Sequence, residues 1–157
     1  MAMANPDFSV SFDDGGLKAR VTAAKARAES IKGVADDIAL VIQADADERF
    51  NTAPGTETGG AVYGGKSWDK LTDAYLSANP RRRGGQLLRD TGELAQSFQV
   101  GGGGNVYQTD TNSIVFGSAL PKAVGLNKDR PLLFAHPDLV ETVARVWSDY
   151  VIGDLAD

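Results

Sequence analysis

The sequence predicts an α+β fold: a small antiparallel sheet packed with a long N-terminal helix and a C-terminal helix, joined by long glycine-rich loops. Three observations lead there. Apolar residues recur at gaps of three and four over residues 17 to 42 and again over 139 to 150, the period of a helix with one buried face. Short runs near 8 to 12 and 114 to 116 alternate apolar and polar residues, the period of a half-buried strand. Glycine makes up 18 of 157 residues, well above the usual ~7%, and is concentrated in a few segments. At 157 residues one domain spanning 1-157 is the expectation, large enough to hold a core unaided.

The first element, FSVSF at 8 to 12, places Phe8, Val10 and Phe12 on one side of a strand, and DDGG at 13 to 16 ends it while offering Asp13 and Asp14 as helix caps. Leu17, Val21, Ala24, Ala28, Ile31, Ala35, Ile38 and Ile42 then mark one stripe of a helix from about 17 to 49. Such a helix would reach ~50 Å, so Gly33 is expected to bend or break it. Residues 51 to 66, NTAPGTETGGAVYGGK, read as a long loop, and SWDKLTDAYLSANP as a short helix capped by Ser67, carrying Trp68, Leu71, Tyr75 and Leu76 and stopped at Asn79-Pro80. RRRGG at 81 to 85 reads as an exposed linker. In GQLLRDTGELAQSF, Asp90 and Glu93 have capping-box spacing, which predicts a short helix running directly into a strand at SFQV. Residues 97 to 117 read as a hairpin, with Gly101 to Gly104 or Asp110 to Asn112 at its turns, and ALPKAVGLNKDRP as a loop. HPDLVETVARVWSDYVIG closes the series as a helix: Pro137 suits the first turn, Leu139, Val143, Val146 and Tyr150 form the stripe, and Gly153 stops it.

Composition narrows the function. A net charge of −5 argues against general attraction to nucleic acid or an anionic membrane. There is no cysteine and one histidine, so thiol catalysis is excluded and a multi-histidine metal site cannot be built. No metal or other cofactor is expected. Neither an 18-residue apolar window nor a secretory signal is read, so the protein is expected to be made and kept in the cytosol of its host cell, without a membrane partner.

One pattern invites an enzymatic reading. Gly60, Gly65, Lys66 and Ser67 satisfy G-x-x-x-x-G-K-S, in which loop amides surround phosphates, the lysine neutralises them and the serine holds magnesium. That chemistry needs a buried strand before the loop and a helix after it, and RFNTAPGTETG cannot supply the strand. A chance match within a glycine-rich loop is preferred; a small nucleotide-binding protein using Lys66 and Ser67 is the alternative, with a generic module pairing through its long amphipathic helix as a third reading. Arg81, Arg82, Arg83 and Arg89 suit phosphates or an acidic partner, or else form a solvated loop. His136 reads as a capping or packing residue, and Asp36, Asp37, Asp45, Asp47 and Glu48 as the ordinary polar face of a helix. Trp68 and Trp147 read as core or interface anchors. No catalytic constellation is found, and the chain is expected not to be an enzyme.

The order of segments carries a resemblance. Gly65, Trp68 and Leu71 fit a G, one or two residues, W, two residues, L element; Leu88, Arg89, Asp90, Thr91, Gly92, Leu94 and Ser97 fit L-R-D-T-G-x-L-x-x-S; Arg130, Pro131 and Leu133 fit R-P-x-L. This resembles the tailed-bacteriophage virion morphogenesis, or tail-completion, family over about residues 48 to 152. The Y-A-x-x-H-x-F-G element of many members is replaced here by SALPKAVGLN. The resemblance implies a structural neck or tail-terminator protein of the virion, assembled in the host cytoplasm as a ring, often of six copies, that joins the capsid connector to the tail tube. It implies that genomic DNA passes through the channel without sequence-specific binding; the net charge of −5 suits that role, since a negative channel wall would repel passing DNA. It also gives the GKS string no nucleotide role. Trp68, Arg81, Arg82, Arg83, Arg89, Lys122, Lys128 and Arg130 are the interface candidates, and the loops at 51 to 66, 101 to 105 and 118 to 129 are expected to order on docking to an adjacent ring.

Overall fold

A computed structural model describes residues 15–153. The expected strand at 8 to 12 and the capping role of Asp13 and Asp14 lie outside the described residues. Within them the architecture is α+β, as expected, with the helical part in more pieces and the sheet divided into two hairpins.

The long amphipathic stripe is cut into α1 (Leu17–Ala28), a 3-10 turn (Ile31–Gly33) and α2 (Ala35–Asn51). Ser30 adopts an extended backbone, and its hydroxyl accepts from the Lys32 amide at 3.3 Å, capping the turn. Gly33 permits the cut: a Cβ there would lie 2.0 Å from the Tyr150 hydroxyl, so the absence of a side chain lets the C-terminal helix approach. Asp36 and Asp37 in the first turn of α2 suit the positive end of its dipole.

The stretch expected to be an unbroken loop holds a hairpin, β1 (Gly60–Val62) with β2 (Lys66–Trp68), paired Gly60 to Trp68 and Val62 to Lys66. Ser67 is therefore a strand residue and not a helix cap. The helix that follows, α3 (Asp73–Ala78), is shorter than expected, capped by the Thr72 hydroxyl accepting from the Tyr75 amide at 3.2 Å. The expected exposed linker at 81 to 85 begins in a 3-10 turn, Pro80–Arg82, where Arg82 is buried while Arg81, Arg83 and Gly84 are exposed.

In α4 (Glu93–Gln96) the cap position is Gly92, with φ 82, and Thr91 Oγ1 accepts from the Glu93 amide at 3.4 Å. The capping box through Asp90 is not formed, because the Asp90 carboxylate is engaged by Arg81. No strand follows directly. The Ser97 hydroxyl donates to Leu94 O at 2.7 Å and Phe98 turns into the core; β3 (Asn105–Thr109) starts only later and pairs with β4 (Ile114–Ser118). Its turn is the Asp110 to Asn112 candidate.

The segment expected to be a loop after β4 is a helix, α5 (Pro121–Asp129), which lays Ala123 and Leu126 on the core. The C-terminal helix, α6 (Pro137–Ile152), begins at the expected proline and ends at Gly153. Ala46, Phe50, Val62, Trp68, Leu87, Leu94, Phe98 and Leu132 form the main apolar cluster, so α2, both ends of the first hairpin, α4 and the segment before α6 meet in one place. The Phe50 and Phe98 rings lie 5.8 Å apart.

Candidate functional site

The three sequence elements that carry the resemblance converge on one open groove of about 490 Å³. Lys70 and Leu71 come from the first element, Leu88 and Asp90 to Leu94 from the second, and Arg130 from the third, with Thr72, Tyr75, Arg82, Lys122 and Leu126 completing the walls. Hydrogen bonds join the third element to the first and brace the second against the turn before it. Arg82 is buried, and its guanidinium donates to Arg89 O at 2.7 Å and Gln86 O at 3.1 Å, closing the loop that presents the second element. Arg81 grips Asp90 with both prongs, at 2.6 and 2.9 Å. Arg130 Nη2 donates to Asp69 O at 3.0 Å, linking the third element to the first.

Leu88 has φ 60, a left-handed conformation that costs a bulky side chain about 1 kcal/mol or more. Leu88 lines the groove and packs against the core cluster, beside the fully buried Leu87. The groove thus has a floor of leucines and a rim carrying both signs of charge, including Lys122 paired with Glu93. Nothing on it makes a nucleophile with a base. It combines an apolar floor with polar edges.

A second constellation was not legible as a site. Asp45 is buried and shared: its Oδ1 is 2.5 Å from His136 Nε2 and its Oδ2 accepts from Arg49 Nη2 at 2.5 Å. Arg49, also buried, donates through Nε to Tyr63 O at 3.0 Å and through Nη1 to Leu132 O. Its guanidinium lies 4.3 Å from the centre of the Phe134 ring. The cluster clamps α2, the first hairpin and the segment entering α6. Asp45 is thus not on a solvated polar face, as expected from the sequence, because the chain folds His136 and Leu132 over it. His136 is a packing residue with an ionic partner, and it makes no side-chain cap for α6. Among the described residues no hydroxyl or thiol lies within hydrogen-bond reach of its ring, and no group of acids or histidines is arranged to hold a metal.

No family model matches the chain, and no curated protein or solved structure matches it either.

The remaining site candidates fall into four groups. Trp68 is 1% exposed and belongs to the core, so it offers nothing to a partner of the folded chain; Arg82 is likewise spent on its own loop. Arg81, Arg83 and Lys122 are exposed but paired with Asp90, Glu57 and Glu93, while Arg89 reaches Asn51 Oδ1 at 3.5 Å. Lys128 is exposed on α5, beside but outside the groove. Lys66 and Ser67 lie in β2, opposite Val62 and Ala61, and no helix starts from them. Gly64 and Gly65 have φ 92 and 84 and make the hairpin turn, and Lys66 Nζ sits 5.6 Å from the centre of the Phe134 ring. The strand, loop and helix order of a phosphate cradle is not built here.

No described helix is long and apolar enough to cross a membrane.

Proposed function

We propose that this chain is a structural subunit of a tailed-phage virion at the head–tail joint, a tail-completion, tail-terminator or neck protein. It assembles as a ring, most often of six copies, between the capsid connector or its adaptor and the tail tube. It has no enzymatic activity, and the genome passes through the ring without sequence-specific contact. The observation that carries this reading is the groove: three separated sequence elements that resemble one family's signature line the same opening, the third bonded to the first through Arg130 and the second braced by Arg81 and Arg82. A signature that builds a braced, uncatalytic socket suits a subunit that works by being held.

The deciding experiment is electron microscopy of particles produced without this protein. Finished heads beside unjoined tails are expected. Normal, infectious particles would overturn the proposal. Titration with a fluorescent nucleotide and magnesium is expected to give no binding; binding abolished by Lys66→Ala would favour the nucleotide reading instead.

A further inference from the structure

Two exposed apolar surfaces of this chain carry opposite charge. The first is the outer edge of α1, where Leu17 and Val21 are 48% and 51% exposed, one helical turn apart, at the start of a helix whose four charged residues are all basic. Lys18 and Lys25 are exposed along this helix, two turns apart and each one position beyond a residue of its apolar stripe. The second is an open groove of about 430 Å³ between α2 and α6. Val41, Ala44, Tyr63 and Leu139 line it, with Glu48 and Asp138 exposed at its rim.

The two surfaces lie on different parts of the molecule. The groove uses the first turns of α6, whereas α1 meets the last residues of α6, where Arg27 donates to Val151 O at 3.2 Å. One copy can therefore offer its α1 edge to a neighbour while receiving another neighbour's α1 in its groove.

We propose that the occupant of the α2–α6 groove is the α1 helix of a second copy of this chain, inserting Leu17 and Val21 while Lys18 and Lys25 face Glu48 and Asp138. The contact joins unlike surfaces, so it repeats around a ring or along a fibre and does not stop at a dimer. Apolar insertion provides the attraction, and the charges set orientation and reject the reverse pairing. This rests on the ring-subunit reading and assigns that ring its contact surfaces. In a chain whose net charge is −5, a basic apolar helix paired with an acidic apolar groove is self-complementarity.

The chain contains no cysteine, so engineered thiols report the contact cleanly. Val21→Cys protein, carrying a tag, is mixed with Ala44→Cys protein and oxidised; Val124→Cys, 76% exposed on α5, replaces Ala44→Cys in the control. The Val21–Ala44 bridge is expected at about ten times the control yield, and Lys18→Glu with Lys25→Glu should cut it about tenfold. Glu48→Lys with Asp138→Lys on the groove partner should restore it. Circular dichroism of each variant confirms that all are folded. Equal yields in the two mixtures, predominance of Val21–Val21 bridges, or α1-dependent capture by anionic vesicles or DNA with no Val21–Ala44 bridge would each overturn the inference. Such a result leaves the ring reading to the particle experiment, which does not depend on which surfaces meet.

Discussion

At the scale of single residues, the sharpest consequence is the buried ionic clamp. Asp45 is the carboxylate partner of Arg49, and both are almost wholly enclosed. Asp45→Asn keeps the volume but leaves the guanidinium charge without a counter-ion in a site lined by Phe134, Leu132 and Tyr63. Loss of about 3–5 kcal/mol is expected, read as a lower urea midpoint. Arg81→Ala, which breaks an exposed pair, should cost about 1 kcal/mol or less in the same assay. Equal effects would mean that the clamp is not enclosed as described. A second prediction concerns glycine. Gly59 has φ 62, and a Cβ there would lie 2.6 Å from both Lys70 N and Trp68 O, which are backbone atoms unable to swing aside. Gly59→Ala should destabilise by about 2 kcal/mol, whereas Gly103→Ala, where a Cβ meets nothing within 4 Å, should be neutral or slightly stabilising.

Elements differ in how much of their stability is local, and that difference decides what the sequence reveals. The C-terminal helix α6 was legible because its start, its stripe and its stop are local: Pro137 in the first turn, apolar residues three and four apart, and Gly153. Helix α5 was not, because PKAVGLNKD holds a mid-helix glycine and few large apolar residues, and it is held by Ala123 and Leu126 pressing on a core made elsewhere. The first hairpin has no local signature for the same reason: its strands are three residues each, and its burial comes from Val62 and Trp68 joining the core cluster with residues of α2 and α4. Of the candidate sites, the groove was readable as three motifs without their convergence, while the Asp45–His136 contact joins positions 91 apart in sequence and has no local signature. The second hairpin yields a pH prediction at this scale. At its tip the Asp110 carboxylate accepts from the Asn112 and Ser113 amides, each at 2.8 Å, and from the Ser113 hydroxyl at 2.8 Å. The Asn112 amide first, then the Ser113 hydroxyl, hold its pKa below the ordinary carboxylate value. A depressed folded value means that the contribution is complete above the unfolded pKa and is lost as pH falls through the folded one. The Asn112 and Ser113 amide resonances should therefore move together in acid, with a midpoint below the usual carboxylate range. Asp110→Ala should abolish that movement; a midpoint at the ordinary value would show that the bonds do not persist in solution.

For the whole molecule, the groove and the fold can be separated by choosing a residue that belongs to one and not the other. Tyr75 lines the groove, is 45% exposed, and makes no side-chain hydrogen bond among the described residues; its backbone alone serves α3. The neighbouring Leu76 carries the burial of that helix at 1% exposure. Tyr75→Ala should therefore change stability by no more than about 0.5 kcal/mol. A tyrosine on the edge of a leucine-floored socket is, however, the type of residue on which an interface depends, and its truncation there costs about 2 kcal/mol or more of binding. If the socket receives a neighbouring virion component, particles assembled with Tyr75→Ala should show unjoined heads and tails in excess, although the purified variant melts as the parent does. Leu76→Ala should instead lower the melting temperature and deplete the protein altogether. Normal joining with Tyr75→Ala would place the working surface elsewhere, leaving the α2–α6 groove and the α1 edge as the surfaces to alter next.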